Sequence, residues 1–336
     1  MKNLLKILFA VVLFGALFTT SCKKDDVEPD PVEENENFAT LKTYLTGNSM
    51  DLSDVLGSGA TSFITTASNV YTINTDADPN NDFYIIDIRE SVHFTTSHIE
   101  NSVNSTLADI LTTADGHDNI AVLCYTGQTA CYAVTALRLS GFPTAKAIKW
   151  GMSGWSGTNG TDKWTDNVGD AGTNSSNWAA APGDLGTITN YGDPVLNTSA
   201  TDGPSILKEQ VTKLLDDGFG AAAVTNASVL DKPSDYYINN FWMAEDVEEY
   251  GNIKTAVRVK PLTLAGDEYK NYNPAAKAVT YCWTGQTSAL VTAYMRIVGY
   301  NAFTLKFGAN GLVHTVLNSH KWTAASGASD LPLISK

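Results

Sequence analysis

Cys124 and Cys282 are the residues best placed to do chemistry, because the chain writes their surroundings twice. Leu123-Cys124-Tyr125-Thr126-Gly127-Gln128-Thr129 returns as Tyr281-Cys282-Trp283-Thr284-Gly285-Gln286-Thr287, 158 positions later (282 − 124). Apolar runs of four residues, 120–123 and 278–281, precede the cysteines and predict buried strands. Helical patterns over 130–139 and 288–298 follow, stopped by Gly141 and Gly299. A strand, a cysteine, a tight glycine-bearing loop and a helix aim backbone N–H groups and a helix N-terminus at the sulfur. Both features lower a thiol's pKa and bind anions, so each cysteine is a candidate nucleophile with a depressed pKa.

The loop residues divide by chemistry. Gly127 and Gly285 permit positive φ and close backbone approach. Thr129 and Thr287 either donate a hydroxyl to the sulfur site or cap the helix, and both roles are compatible. Gln128 and Gln286 read as loop residues that present only their backbone. A thiol phosphatase also uses a loop cysteine at a helix N-terminus, but it needs an arginine clamp, and the sixth residue after each cysteine is Ala130 or Ser288. Zinc lacks a Cys-x-x-Cys or Cys/His cluster. Cys131, opposite Ala289 in the second copy, reads as a packed helix residue rather than a resolving thiol. The run 76–82 alternates oxygen ligands but lacks the glycine of a calcium loop, and reads as a polar turn.

Three further stretches, with the loop itself, give the repeat a family likeness. Ile85-Ile86-Asp87-Ile88-Arg89-Glu90 is similar to an Asp-x-Arg strand. Ser97-His98-Ile99-Glu100-Asn101-Ser102-Val103-Asn104 is similar to a Gly-His-Ile-x-x-Ala-x-Asn turn. Lys149-Trp150-Gly151-Met152-Ser153-Gly154-Trp155 is similar to a Gly-Gly-x-x-x-Trp segment, and 124–129 has the form Cys-x-x-Gly-x-Thr. In this order they resemble the rhodanese (sulfurtransferase) family. The resemblance implies an α/β fold of two tandem rhodanese-like domains, each a parallel sheet flanked by helices. It implies that Cys124 and Cys282 carry a sulfane sulfur as a persulfide. The donor would be thiosulfate or 3-mercaptopyruvate and the acceptor cyanide or a thiol, with no metal or cofactor. Asp87 and Arg89 are then a structural ion pair, His98 holds the turn, and Trp150 and Trp155 line the core or pocket wall.

The second copy departs from the pattern, with Asn252 in place of the turn histidine and Asn240 and Trp242 in place of the Asp-x-Arg pair. Its loop is expected to be held less well, so Cys124 is expected to contribute the greater turnover. Neither loop carries Arg or Lys, which argues against a dianionic donor such as thiosulfate. The competing reading is a non-catalytic surface module in which these folds present a partner site.

Positions 1–21 read as a lipoprotein signal peptide, with a basic start, a short apolar run and small residues before Cys22, the expected lipidation site. Positions 22–37 read as an acidic tether, 38–157 as the first domain, 158–204 as a Gly/Asn/Thr-rich insertion and 205–331 as the second domain. The expected location is exported and lipid-anchored at an outer membrane, the lipid being the only membrane contact. With 22 basic against 36 acidic residues the net charge is −14, which argues against nucleic acid and anionic lipid as partners. Oligomeric state is left open. Besides Cys22, three cysteines are too few and too odd for a disulfide framework, so free thiols are expected.

Overall fold

The computed structural model describes residues 35–157 and 161–335. The proposed signal peptide, Cys22 and all but the last three residues of the proposed tether lie outside the described residues. Of the tether, Glu36 and Asn37 already belong to the first helix, because Asn35 caps it, its side chain accepting from Phe38 N.

The elements of the first half, in order, are α1 (Glu36–Gly47), α2 (Leu52–Leu56), β1 (Ile64–Thr65), α3 (Ala67–Asn74), β2 (Tyr84–Asp87), α4 (Ser91–Thr96), β3 (Val103–Asn104), α5 (Ile110–Ala114), β4 (Ile120–Leu123), α6 (Gln128–Leu139), β5 (Lys146–Ile148) and α7 (Gly151–Trp155). After them come β6 (Trp178–Ala179), α8 (Gly203–Asp217), β7 (Ala223–Val224), α9 (Asn226–Asp231), β8 (Tyr237–Asn240), α10 (Ala244–Tyr250) and β9 (Asn252–Ile253). The chain then runs through β10 (Ala278–Tyr281), α11 (Gln286–Ile297), β11 (Ala302–Leu305), α12 (Gly308–Leu312) and α13 (Ala324–Gly327).

Two parallel sheets result, β1-β5-β4-β2-β3 and β7-β11-β10-β8, and β6 pairs antiparallel with β9. This is the expected α/β class, parallel sheets flanked by helices. The strands predicted at 120–123 and 278–281 occur at those positions, buried at every residue as the apolar runs require. Both helices start two residues earlier than the sequence suggests, at Gln128 and Gln286, with left-handed Gly127 (φ 81°) and Gly285 (φ 74°) as their N-caps. Neither helix has a side-chain cap, so Thr129 and Thr287 lie inside the first turn and do not cap.

The described residues form one compact unit. At its centre α6 packs on α11, and this explains why α6 is buried nearly all round. One face meets its own sheet and the other meets the partner helices, as a helix buried on all sides demands. Thr135 Oγ1 donates to Leu290 O across that seam (3.3 Å), and Tyr132 Oη donates to Leu214 O of α8 (3.3 Å). Arg138, equally buried, uses its guanidinium on the carbonyls of Val55, Thr61, Ser62 and Ala145. Burial lowers its pKa to about 10.

Segments cross between the halves. α1 packs on α8, and Asp51 accepts from Leu264 N and Ala265 N (both 2.9 Å). In return, residues 331–334 strap the first half. His98 and Ile334 exchange backbone hydrogen bonds (2.9 Å each), and Leu331 N donates to Trp155 O. The polar run 76–82 is a turn closed by its own carboxylates, Asp76 accepting from Asp78 N (2.7 Å) and Asp78 from Asn80 N (3.1 Å). Among the described residues no helix is long and apolar enough to cross a membrane.

Candidate functional site

β4 delivers Cys124 and β10 delivers Cys282 to the C-terminal ends of the two parallel sheets. The loop then turns back into α6 or α11. Gly127 N and Ala130 N donate to Cys124 Sγ (3.1 and 3.4 Å). Ser288 N donates to Cys282 Sγ (3.3 Å), and Cys282 Sγ in turn donates to Ser288 Oγ (3.5 Å). The hydroxyl at the second sulfur is thus that of Ser288, where the sequence suggested Thr287.

Behind each loop a glycine is obligatory. Trp150 and Phe307 both take left-handed backbone (φ 66° and 63°) and lead into Gly151 and Gly308, which are also left-handed (φ 62° and 50°). A Cβ on Gly151 would lie 2.4 Å from Cys124 O and 2.6 Å from Gly127 N, and one on Gly308 would lie 2.1 Å from Cys282 O. The loop therefore rests directly on this turn, held by Met152 N to Cys124 O (2.8 Å) and Ala309 N to Cys282 O (2.9 Å).

The depressed thiol pKa expected for Cys124 is not found. Burial pushes the thiol up, and the amides of Ala130, Thr126, Gly127 and Thr129 offset only part of that. The side chain is 3% exposed, and desolvation in so closed a place outweighs neutral donors. The alkylation rate of Cys124 by iodoacetamide is accordingly expected to keep rising through the ordinary thiol range rather than to level off below it. A rate that levels off by about pH 8 would show an activated thiolate instead. Cys131 is wholly buried on α6 with its thiol pushed well above its usual value by burial, which fits a packing residue.

The glutamines are not passive loop residues. Both are buried, and each reaches into the other half. Gln286 Nε2 donates to Thr126 O (3.0 Å), while Gln128 Oε1 accepts from Phe307 N (3.0 Å). Gln128 Nε2 also holds Thr126 Oγ1 (3.1 Å), and Thr284 Oγ1 accepts from Gln286 N (3.3 Å). The two cysteine loops are thereby face to face and interlocked by a reciprocal pair of side chains.

Asp87 and Arg89 form a buried ion pair at the end of β2. Asp87 Oδ1 accepts from Arg89 N (3.0 Å), and the buried carboxylate takes Arg89 Nε and Nη2, the closest contact being 2.7 Å. Arg89 Nη2 also donates to Ser97 O (2.8 Å), tying the strand to the turn that holds His98. His98 stacks on Phe94 (4.1 Å), and its Nδ1 pairs with Phe94 O, a structural role. In the second half Asn240 Oδ1 accepts from Trp242 N (3.0 Å), the same brace in neutral form. Asp87 faces Leu123 and Asn240 faces Tyr281, so the two positions correspond without any shift. Asn252 holds the place of His98 and pairs with Ala179 of β6, as His98 pairs with Ile334.

Around the loops the halves differ. Tyr125 Oη pairs with His93 Nδ1 and accepts from Glu90 N (3.3 Å), beside a cavity of about 60 Å³ that Arg89, Ser97 and Lys163 also line. Trp283 is instead sandwiched between Trp242 (4.8 Å, 13°) and His320 (5.3 Å, 12°).

Trp164 marks the insertion as a packed segment, and a further repeat within it was missed. Lys163-Trp164-Thr165 recurs as Lys321-Trp322-Thr323, again 158 apart (321 − 163). The insertion therefore opens on a segment that belongs to the repeat, and the common spacing was the available signal. Trp164 Nε1 donates to Thr126 O (3.3 Å), and the ring packs on Trp150 (4.6 Å), Phe307 (5.1 Å) and Trp322 (5.8 Å), sealing the seam beside the loops. Farther on, Gly169 N and Gly172 N donate to Asn310 O and Leu312 O (both 2.8 Å), so the insertion bridges the halves.

Among the described residues no group of three or more His, Cys, Asp or Glu side chains is arranged to hold a metal ion. Residues 68–158 match the family model described as a rhodanese-like domain, a span that contains Cys124 and its loop. No curated protein matches the sequence. A solved thiosulfate sulfurtransferase from Pseudomonas aeruginosa is similar at 13% identity and a TM-score of 0.28, over 86% of this chain. The chain spans about half the length of that protein (48%).

Proposed function

We propose that this protein is a sulfurtransferase with two rhodanese-like halves, each of which stores a sulfane sulfur on its loop cysteine. The observation that carries the reading is the pair of amides on Cys124 Sγ, Gly127 N and Ala130 N, at the start of a 12-residue helix. Fixed donors at that point stabilise an anion without reorganisation, and one such donor is worth about 3 kcal/mol of barrier. The thiolate attacks the outer sulfur of thiosulfate. The new S–S bond forms as the old one breaks, and sulfite leaves with the bonding pair. Cyanide or a thiolate then takes the outer sulfur and regenerates the enzyme thiolate. Splitting the transfer at a covalent stage replaces one hard step by two easier ones.

The second half supports inclusion in this scheme because its loop, its left-handed turn and its neutral brace repeat those of the first. The non-catalytic module is favoured by one observation, the near-complete burial of both thiols, 3% and 2% exposed. Intact-protein mass spectrometry after exposure to thiosulfate or 3-mercaptopyruvate separates the two readings. One added sulfur per active loop is expected, lost in Cys124→Ser or Cys282→Ser respectively, and discharged by cyanide. Absence of uptake from both donors in folded protein would leave the binding module as the better reading.

The proposal extends to placement. Small residues ahead of Cys22 and the acidic stretch after it support an exported, lipid-anchored protein. Cys22→Ser should then move the protein from the membrane to the soluble fraction, and unchanged membrane retention would remove the anchor from the account.

A further inference from the structure

A single peptide unit links the two halves at the first sulfur. Thr126 O and Gly127 N are the two ends of one trans peptide. The C=O and N–H of such a unit lie in one plane and point in opposite directions, so holding the oxygen sets the line of the hydrogen. The N–H end donates to Cys124 Sγ (3.1 Å). The C=O end accepts from Gln286 Nε2 of the second half (3.0 Å) and from Trp164 Nε1 of the insertion (3.3 Å). Hydrogen bonds accepted by a carbonyl also polarise its amide, strengthening the N–H as a donor by roughly 10–30% per bond.

Gln286 is confined to this contact. Its side chain is buried, and a Cβ on Gly127 would lie 2.1 Å from its Nε2. Left-handed Gly127 (φ 81°) therefore does two things: it turns the loop and leaves open the space through which the glutamine reaches the carbonyl. A carbonyl opposite requires the amide nitrogen, not the oxygen, to face it. The arrangement is not mirrored in the second half. Gln128 turns its Oε1 to Phe307 N (3.0 Å) and its Nε2 to Thr126 Oγ1 (3.1 Å). The amide on Cys282 Sγ is that of Ser288, in the first turn of the helix that follows that cysteine. Cys282 thus draws this donor from its own helix. Cys124 has one of its two donors aimed by a residue 160 positions from the carbonyl it holds.

We infer that Gln286 is a positioning residue for Cys124: from the second half it aims the Gly127 N–H at the sulfur, and so sets how well the first loop holds a negative sulfur. The inference deepens the sulfurtransferase reading and rests on it. Gln286 acts through the peptide and not on the donor or acceptor, and the sulfur, electron pair and leaving group move as described above. The loop of the first half is then complete only when the helix start of the second half is in place beside it.

The test uses the full chain. Peptide mass spectrometry follows sulfur uptake from thiosulfate or 3-mercaptopyruvate at Cys124 and at Cys282 separately in one sample. Iodoacetamide alkylation of the same protein is followed against pH. Gln286→Leu keeps the length and apolar fit of the side chain but removes the donor. Loading at Cys124 is expected to slow on the order of tenfold, less than the roughly hundredfold or more that loss of a whole donor costs. The rate at Cys282, in the mutated residue's own loop, should stay within about twofold, since its amide donor comes from the backbone. The Gly127 amide is one of the groups that pull the Cys124 thiol down against burial, so the alkylation profile of Cys124 should also move to higher pH. Trp164→Phe removes the longer hydrogen bond to the same carbonyl and should move both readouts the same way by less. It decides the matter if Gln286→Leu does not fold. Unchanged loading at Cys124, or equal slowing at both cysteines, overturns the inference and leaves the sulfurtransferase reading standing. If the unmutated chain takes up no sulfur, that reading fails and alkylation decides alone. A Cys124 profile that moves in Gln286→Leu then keeps the positioning role, and one that stays in place removes it.

Discussion

Arg89→Leu is expected to destabilise the protein by about 3–5 kcal/mol, because it strands a buried carboxylate. Asp87 is fully buried, and Arg89 supplies its charged partner through Nε and Nη2. Backbone N–H of residue 89 would remain, but one neutral donor does not replace a guanidinium. The protein carries its own control in the second half, where Asn240 braces Trp242 N with no charge at all. Asp87→Asn combined with Arg89→Leu should therefore recover most of the loss. Thermal unfolding should show a drop of roughly 10 °C for the single variant, given about 2–4 °C per kcal/mol in a chain of this size. A single variant costing under about 1 kcal/mol, or a double variant no better than the single, would show that the pair is not what holds this strand.

Gly151→Ala is expected to cost more than about 3 kcal/mol and to abolish sulfur loading at Cys124, though the substitution adds one methyl group. Two effects add. A left-handed φ of 62° strains any L side chain by about 1–2 kcal/mol. The new carbon would also lie 2.4, 2.6 and 2.7 Å from Cys124 O, Gly127 N and Thr126 N, all backbone. The loop itself must move, and about 1 Å of displacement at a catalytic group costs about a hundredfold in rate. Gly116→Ala separates the two effects, since its φ is similar (78°) but nothing lies within 4 Å of the added carbon. That control should cost about 1 kcal/mol and leave loading unchanged. Equal behaviour of the two variants would mean that the contact behind the loop is unimportant.

What the sequence disclosed was local in origin. Four-residue apolar runs marked β4 and β10 because both faces of a central parallel strand are covered. The glycines marked the turns because only they enter left-handed backbone at no cost. Where the governing partner is remote, the reading failed. Gln128 and Gln286 looked idle because their partners, Phe307 and Thr126, lie 179 and 160 residues away. The sign of the Cys124 shift was misjudged because depth is not written in a loop motif, and burial outweighed the amides. β1 and β7 are two residues each and carry no period to detect.

The pairing of His98 with Ile334 also fixes an order of events during synthesis. These partners are 236 residues apart (334 − 98), and translation at about 5–20 residues per second takes roughly 10–50 s to cover that distance. Through that interval the backbone of His98 in the earlier-made half lacks its partner, and unpaired extended backbone invites pairing with a stranger. Leu331, which donates to Trp155 O, arrives equally late. The later-made half meets its strap early, since Ala179 of β6 is translated ahead of its partner Asn252. The half that leaves the ribosome first is thus the one completed last.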